Sequence, residues 1–279
     1  MNGVTIRRLT RRELRKAVDA IVRSYGMEGV EGLRLARLSL ELQLEAEPLG
    51  CVIAVAGDSV IGTACYTCYG SVAWVGLVGV VPEWRRRGVG TALMKEVLRR
   101  LRDREVATVR LDSTDEGLRL YSRLGFTPEY RTLLWELPEG LGLGQRGFGA
   151  AVRADSIPAW VAALDRAAFG ACRLKVLSAR LRRGGKLLLL PPDRGYALLF
   201  EGTIGPVVAR DAGSARELIL AAASLGGRRV VAPDRNPEAL ELLESLGARV
   251  RVACVRMKVG PPVGERVRLI YGILSFAKG

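Results

Sequence analysis

The spacing of apolar residues divides the start of the chain into one strand and two helices. Apolar and polar positions alternate at residues 4–9, whereas residues 11–25 and 32–47 have the longer apolar period of helices. In the second helix, Leu35, Leu38 and Leu42 form one stripe that would face a core. Alternate leucines also occupy positions 38–44 of this segment. A strand is therefore the competing interpretation there.

The next stretch is rich in strands and contains one glycine turn. Strands are predicted at residues 51–56, 60–69 and 72–81, and the last is apolar at almost every position, as in a strand covered on both faces. After the turn at residues 85–90, we predict a helix to about residue 103, a strand at 106–111, a helix at 115–124 and a strand at 131–137. We expect this last strand to close a first unit.

The composition changes after this strand, since residues 138–149 hold one proline and five glycines among few large apolar residues. We predict a linker there. Beyond it the pattern predicts a second set of elements. The strands are at 152–157, 186–190, 196–201, 203–209, 229–232 and 250–259, and the helices are at 158–169, 174–181, 215–225 and 237–246.

The second set of elements repeats the first. Residues 237–248 echo residues 115–126, and each segment lies between two apolar strands and has a helix that ends at a glycine. The alternative is two independent halves that share only this ending. We predict an α/β fold (α+β in some schemes) of tandem domains, each a mixed central sheet flanked by helices. The predicted domains are residues 1–137 and 150–279.

Composition limits the chemistry and the setting of the protein. No apolar run could span a bilayer, and the first 25 residues lack the pattern of a secretory signal, so we expect a cytoplasmic protein with no membrane partner. The absence of histidine excludes histidine triads and argues against the usual zinc sites. Cys65 and Cys68 lie three apart in a predicted strand, so they would point to opposite faces. We therefore expect no metal.

The chain is strongly basic, with 43 lysine and arginine residues against 29 acidic ones and a formal net charge of +14. Such an excess often accompanies a polyanionic partner. The basic residues are dispersed along the sequence. This dispersion favours a solvated basic surface that also attracts an anionic small molecule, and it makes a nucleic acid the less favoured partner.

The glycine turn is the strongest candidate for chemistry. Arg85, Gly88 and Gly90 stand between an apolar strand and an amphipathic helix. The first turn of a helix has unpaired amides and a positive dipole end, and glycine allows the backbone to approach a phosphate oxygen closely. The turn is neither a Walker A loop nor a G-x-G-x-x-G dinucleotide fingerprint. It predicts a pyrophosphate site.

In this turn the sequence resembles the GNAT acetyltransferases, whose hallmark is Gln/Arg-x-x-Gly-x-Gly/Ala after the fourth strand. The later Tyr-x-x-x-Gly-Phe of the family is matched by Tyr121, Gly125 and Phe126. The resemblance covers residues 1 to about 137. It implies that acetyl-CoA is the donor, bound by a pantetheine-pairing strand (Val78, Gly79, Val80) and by the turn (Arg85, Arg86, Arg87, Gly88, Val89, Gly90, Thr91).

The same resemblance implies that a neutral amine attacks the thioester directly and that Tyr121 protonates the leaving thiolate. A packing tyrosine is the alternative for Tyr121. The general base is not indicated, because the early fourth strand has no carboxylate and Glu83, beside the turn, also fits a solvated position. Glu41 and Glu45, one turn apart on the second helix, could recognise a cationic acceptor, and the alternative is that they form the solvated face of that helix. The predicted function is acetyl transfer to a primary amine of a small molecule or protein.

The second half has lost the glycine pattern of the turn. At the matching place it has Asp211 and a single Gly213, and Leu243 stands in register with Tyr121. This half resembles the accessory domain of two-domain GNAT proteins, and we predict a degenerate copy in which Arg173 either lines the acceptor site or is structural. The alternatives for the whole chain are a non-catalytic CoA-binding regulatory module and an RNA- or ribosome-associated acetyltransferase. The sequence indicates neither the acceptor nor the oligomeric state.

Overall fold

The structure, a computed structural model, describes residues 3–27, 29–142 and 150–279. Most of the predicted linker lies outside these ranges. The described chain divides into two compact units. Unit 1 comprises residues 1–111, 117–127 and 259–261 apart from the undescribed positions, and unit 2 comprises residues 112–116, 128–258 and 262–279 with the same exception.

Unit 1 contains a sheet in the order β1-β2-β3-β4-β5, in which β1 to β4 are antiparallel neighbours and β4 and β5 are parallel. Helices α1 and α3 pack on this sheet, and α2 packs on α1. The elements are β1 (Val4–Arg8), α1 (Leu14–Tyr25), α2 (Gly29–Ala46), β2 (Cys51–Ala56), β3 (Ser59–Tyr69), β4 (Val72–Val80), α3 (Val89–Arg102), β5 (Thr108–Ser113) and α4 (Asp115–Arg123).

The predicted elements of this unit are present, with small shifts at their ends. The segment with alternating leucines is helical, so the competing strand interpretation is wrong. Strand β5 begins at Thr108, two residues after the predicted start. The amide of Val106 is used to cap the end of α3, where it donates to Leu101 O. The amides of Ala107 and Thr108 both donate to Ser71 O, so regular strand pairing starts only there.

Unit 2 contains a sheet in the order β12-β6-β11-β10-β9-β8-β7, and β13 pairs with β10. The short strand β13 was not predicted from the sequence. The elements are β6 (Thr127–Glu136), β7 (Val152–Ala154), α5 (Ala159–Phe169), α6 (Leu174–Arg182), β8 (Lys186–Leu190), β9 (Gly195–Phe200), β10 (Thr203–Ala209), α7 (Ala212–Ser224), β11 (Arg229–Pro233), α8 (Pro237–Ser245), β12 (Arg249–Val259) and β13 (Ile270–Gly272).

The sequence led us to expect that the strand at 131–137 closes the first unit. In the structure this strand, β6, belongs to the second unit. It pairs with β11 in antiparallel register from Glu136 opposite Arg229 to Thr132 opposite Pro233, and residues 128–136 belong to unit 2. Its Trp135 is buried in the core of unit 2. The two compact units are therefore interleaved along the chain. The domains 1–137 and 150–279, which were inferred from the repeated order of elements, remain a prediction.

A buried ion pair accompanies β6 in unit 2. Arg256 forks onto both carboxylate oxygens of Asp112, at 3.2 and 3.0 Å, and its third donor reaches the Tyr130 hydroxyl at 2.7 Å. Thr132 donates a further hydrogen bond to Asp112 at 2.9 Å. Both charged side chains are fully buried. Such a pair is tolerated in an interior only when its polar atoms are satisfied in this way.

Candidate active site

Strands β4 and β5 separate partway along their length. Their parallel pairing extends only from Val72 opposite Thr108 to Trp74 opposite Arg110, although β4 continues to Val80. Burial changes at the same place, because the first four residues of β4 are buried and the last five are half-buried. The second part of β4 thus has an edge that β5 does not cover.

A bulge in β4 orients the backbone groups on this edge. The register with β3 shifts between Thr63 and Cys65, and Leu77 adopts a left-handed φ of 52°, which is costly for a branched residue. The Thr63 hydroxyl donates to Leu77 O at 2.8 Å, and this bond supports the bulge.

Beyond the bulge, the strand alternates regularly. The carbonyl of Gly79 faces Gly62 on β3, and the amide of Val81 donates to Ile61 O. Because successive residues of a strand point their N–H and C=O groups to opposite edges, those of Val78 and Val80 point away from β3. These groups are placed where an added strand would pair.

Two side chains already donate to the carbonyls of this edge. The Tyr25 hydroxyl, at the end of α1, donates to Val78 O at 3.0 Å. The Arg85 guanidinium donates through Nε to Val80 O at 3.1 Å and through Nη2 to Ser24 O at 2.8 Å. Arg85 was predicted to bind the cofactor, and through these two hydrogen bonds its side chain also connects the end of β4 to the end of α1.

Gly79 allows this close approach of α1. A Cβ at position 79 would lie 2.7 Å from Ser24 Cβ and 3.2 Å from Tyr25 Cε2. Any larger residue would therefore displace the end of α1 from β4. The Ser24 hydroxyl is buried and has no hydrogen-bond partner among the described residues. An unpaired buried hydroxyl is unusual in a folded protein.

The predicted turn joins β4 to α3 in a conformation that exposes its amides. Arg86 and Gly88 have left-handed φ values of 60° and 83°. Gly88 is the N-cap of α3 and provides no side chain to cap it. The amide of Ala92 donates to Gly88 O. Within the described residues, it is the first amide at this end of the helix that has an acceptor in the protein. The amides between Arg86 and Thr91 are thus available to a ligand.

Charge around the turn is positive. Arg86 and Arg87 are exposed, and the Arg87 guanidinium lies 5.3 Å from the centroid of the Trp84 ring. Glu83 is exposed and pairs with Arg23 at 2.8 Å. A hydrogen bond from its own backbone amide, and then the one from Arg23, keeps the pKa of its carboxyl below the usual value. Val89 is buried and Gly90 half-buried, and a Cβ at Gly90 would meet Leu120 at 3.4 Å.

Tyr121 lies on α4 and is buried, with 7% of its surface exposed. Its ring contacts Phe126 edge to face at 5.9 Å between centroids. Desolvation raises the pKa of Tyr121 to about 12, because the phenolate would lose its hydration. Its hydroxyl is therefore protonated throughout the neutral range and can serve as a proton donor.

Tyr25 was not predicted from the sequence as a site residue, and the structure places its hydroxyl on the uncovered edge of β4. Although 48% of Tyr25 is exposed, its hydroxyl is desolvated, which raises its pKa, and Tyr121 and Cys65 add to the rise electrostatically. No motif marks Tyr25. The one local signal is its place directly before Gly26, the left-handed residue that ends α1.

Two glutamates on α2 or directly after it have arginine partners. Glu41 pairs with Arg37 one turn away at 2.9 Å, as on a solvated helix face. Glu47 is buried and pairs with Arg104 at 3.0 Å, and it also accepts from the amide of Cys68. The geometry at these two positions therefore does not indicate a carboxylate base.

The matching helix end in unit 2 is capped by its own chain. Asp211 accepts from the amide of Ser214 at 2.7 Å and from the Ser214 hydroxyl at 3.1 Å. Its carboxylate takes the position at the start of α7 that an anion would take. Leu243, in register with Tyr121, is fully buried. Arg173 is buried against Asp165 and the Phe169 ring, so it is a structural residue of unit 2.

Comparisons with known proteins place both halves of the chain in one family. A model described as the acetyltransferase (GNAT) family matches residues 17–126, and one described as the acetyltransferase (GNAT) domain matches residues 161–272. A solved structure of a candidate acetyltransferase from Pyrococcus horikoshii is 36% identical, covers 100% of this chain and 97% of its own, and has a TM-score of 0.94. No curated protein matches the chain.

Two more distant structures show the same fold. A GCN5-related N-acetyltransferase from Sphaerobacter thermophilus is 18% identical over 96% of this chain and 99% of its own, with a TM-score of 0.64. A tandem GNAT protein from the clavulanic acid biosynthesis pathway is 15% identical over 93% and 99%, with a TM-score of 0.62.

The chain belongs to the GNAT acetyltransferases and is a member with two GNAT domains. The predictions of the family and of the tandem fold are thereby confirmed. Membership implies acetyl transfer from acetyl-CoA to an acceptor. Among the described residues, no helix is long and apolar enough to cross a membrane.

Proposed function

We propose that unit 1 transfers an acetyl group from acetyl-CoA to a primary amine of a small molecule or a protein, by direct attack in a ternary complex. The observation that carries this proposal is the continuous ligand-accepting backbone from Val78 to Thr91. It joins an uncovered strand edge to a helix end whose amides have no protein acceptor among the described residues.

The chemical groups of CoA fit this backbone in order. A pyrophosphate suits the amides from Arg86 to Thr91, where the helix dipole and the exposed Arg86 and Arg87 add positive potential. A pantetheine arm carries amides that can pair with the edge of β4 as an added strand. The buried Ser24 hydroxyl, close to Gly79, offers a further polar contact.

The reaction needs three contributions from the protein. An outward-pointing amide of Val78 or Val80 would polarise the thioester carbonyl as a neutral amine forms the new C–N bond. When the C–S bond breaks, the Tyr121 phenol would give its proton to the departing thiolate. The proton released by the amine would pass to solvent, since Glu83, beside the turn, is exposed and paired with Arg23.

The binding part of this proposal is tested by calorimetry with acetyl-CoA. Gly88→Ala adds a Cβ at a residue with φ of 83° whose amide faces the ligand, so we expect at least a tenfold rise in Kd. Gly70→Ala is the matched control, because Gly70 has φ of 75° in the turn between β3 and β4 and nothing within 4 Å of its Cβ position. A native protein without measurable affinity for acetyl-CoA would overturn the proposal.

The catalytic part is tested by incubation with a panel of amines and measurement of CoA release. Release that depends on one class of amine supports the transfer reaction and names the acceptor class. Binding of acetyl-CoA without release for any amine would instead support a regulatory CoA-binding module, the alternative favoured by the lack of an assigned base.

A further inference from the structure

Tyr25 occupies a backbone acceptor that the proposed donor would use. Its hydroxyl donates to Val78 O on the edge of β4 that β5 leaves uncovered. An incoming chain that adds to this edge would use Val78 O as an acceptor, because this carbonyl points away from β3. In the structure this carbonyl already accepts from Tyr25, and the next outward carbonyl, Val80 O, accepts from Arg85.

The bond from Tyr25 is the more easily broken of the two on this edge. Arg85 holds Val80 O and also Ser24 O, so its guanidinium is fixed at both ends. Tyr25 has one hydrogen bond to the strand, lies at the last residue of α1 and is half exposed, so its ring has solvent to move into. One neutral hydrogen bond contributes only modestly to net stability.

The hydroxyl of Tyr25 also protects the edge. Uncovered strand edges pair with other extended chains, and a side-chain donor on a free carbonyl makes that pairing less favourable. Because the pKa of Tyr25 is raised, the hydroxyl remains a donor throughout the neutral range. The bond is therefore independent of pH under physiological conditions.

We propose that Tyr25 is a latch on the donor site: it closes on Val78 O in the free protein and leaves that carbonyl when the pantetheine arm of acetyl-CoA pairs with β4. The proposal rests on the proposed function of this site. Tyr25 is then a positioning residue that lowers the affinity for pantetheine-bearing ligands and leaves the affinity for the nucleotide portion unchanged.

The test compares two ligands by calorimetry on the full chain. Coenzyme A has the pantetheine arm, and 3′-phosphoadenosine 5′-diphosphate lacks it. For Tyr25→Phe, which keeps the ring beside Gly79, we expect the Kd of coenzyme A to fall about fivefold and that of the nucleotide to stay within twofold of the native value. Tyr271→Phe, which removes a hydroxyl that bonds Glu238 in unit 2, should change neither.

Each other outcome has a defined meaning. An unchanged or higher Kd for coenzyme A in Tyr25→Phe overturns the latch, and so does an equal change for both ligands. Tyr25→Leu should also tighten coenzyme A binding alone, and it provides the same test if the phenylalanine variant does not fold. If the native protein binds the nucleotide but not coenzyme A, or neither ligand, the proposed function fails rather than the latch.

Discussion

At the scale of single residues, burial explains how Tyr121 can act without a neighbouring base. An ordinary tyrosine begins to lose its proton near pH 10, whereas desolvation raises the pKa of Tyr121 to about 12. The thiolate of CoA is a stronger base than a carboxylate, so a neutral phenol beside it can transfer a proton as the C–S bond breaks. The raised pKa also makes Tyr121 a weaker acid than an ordinary tyrosine, so the transfer requires close contact with the sulfur as negative charge develops there.

Replacement of Tyr121 by phenylalanine should therefore slow turnover and leave donor binding intact. We expect kcat to fall about a hundredfold with an amine found in the panel, because a positioned acid contributes at least that factor. The Kd of acetyl-CoA should change less than twofold, since Tyr121→Phe preserves the ring that contacts Phe126. Steady-state kinetics measures kcat for Tyr121→Phe, with Tyr271→Phe as the control. A kcat of Tyr121→Phe equal to the native value would show that Tyr121 has no part in the mechanism.

At the scale of elements, local sequence predicted most of the structure around the turn. The apolar run of β4, the glycines and the amphipathic α3 each have a local signal, and all three elements lie where predicted. The bulge at Leu77 and the separation of β4 from β5 have no such signal, because both depend on which residues of distant strands pair. The contact of Tyr25 with Val78 was hidden for the same reason.

The two helices that follow β4 and β10 differ in how their first turns are satisfied. Gly88 leaves the amides of α3 to a ligand, whereas Asp211 caps α7 with its own carboxylate. In the sequence, Asp211 marks a place where the second half has lost the glycine pattern of the turn. The structure adds that this carboxylate also fills the amide positions that a phosphate would need.

Asp211 should consequently contribute to the stability of unit 2. We expect Asp211→Ala to lower the free energy of unfolding by about 1 kcal/mol, the usual cost of losing an N-cap, while Asp211→Asn should keep most of it because asparagine caps equally well. Urea denaturation measures both variants. Equal losses in the two would show that charge rather than capping is responsible, and no loss in either would contradict the role.

At the scale of the whole chain, the sequence predicted the repeat but not the interleaving of the units. Local patterns identify β6 and β12 as strands, yet a strand can pair with any compatible edge, and only the pairing with β11 assigns β6 to unit 2. The buried pair of Asp112 and Arg256 has the same origin, since its residues are far apart in sequence. The family could be predicted because its motifs are local.

The charge balance of the whole chain predicts how stability depends on pH. The net charge is +14 when all carboxylates are ionised, so each proton taken up in acid adds to the repulsion. Hydrogen bonds from Arg99 and then Arg100 lower the pKa of Glu96 from 4.5 to about 2, and Arg7 followed by Thr10 does the same for Glu13. A carboxyl group whose pKa is lower in the folded state than in the unfolded state stabilises the fold at any pH above its unfolded-state pKa. That stabilisation is lost as the pH falls through the folded-state pKa.

The Tm should therefore fall steeply between about pH 5 and pH 2, where these two glutamates take up protons that the unfolded chain already holds. Glu96→Gln should have a lower Tm than the native protein at pH 7, and the two should converge near pH 2, because the native Glu96 is then also neutral. The difference should be small, since Arg99 is half exposed and solvent screens its pairing. Glu241→Gln, at an exposed position of α8, is the control and should follow the native curve. Calorimetric scans across this range check the convergence, and a Glu96→Gln curve parallel to the native one would contradict the ion pair's contribution.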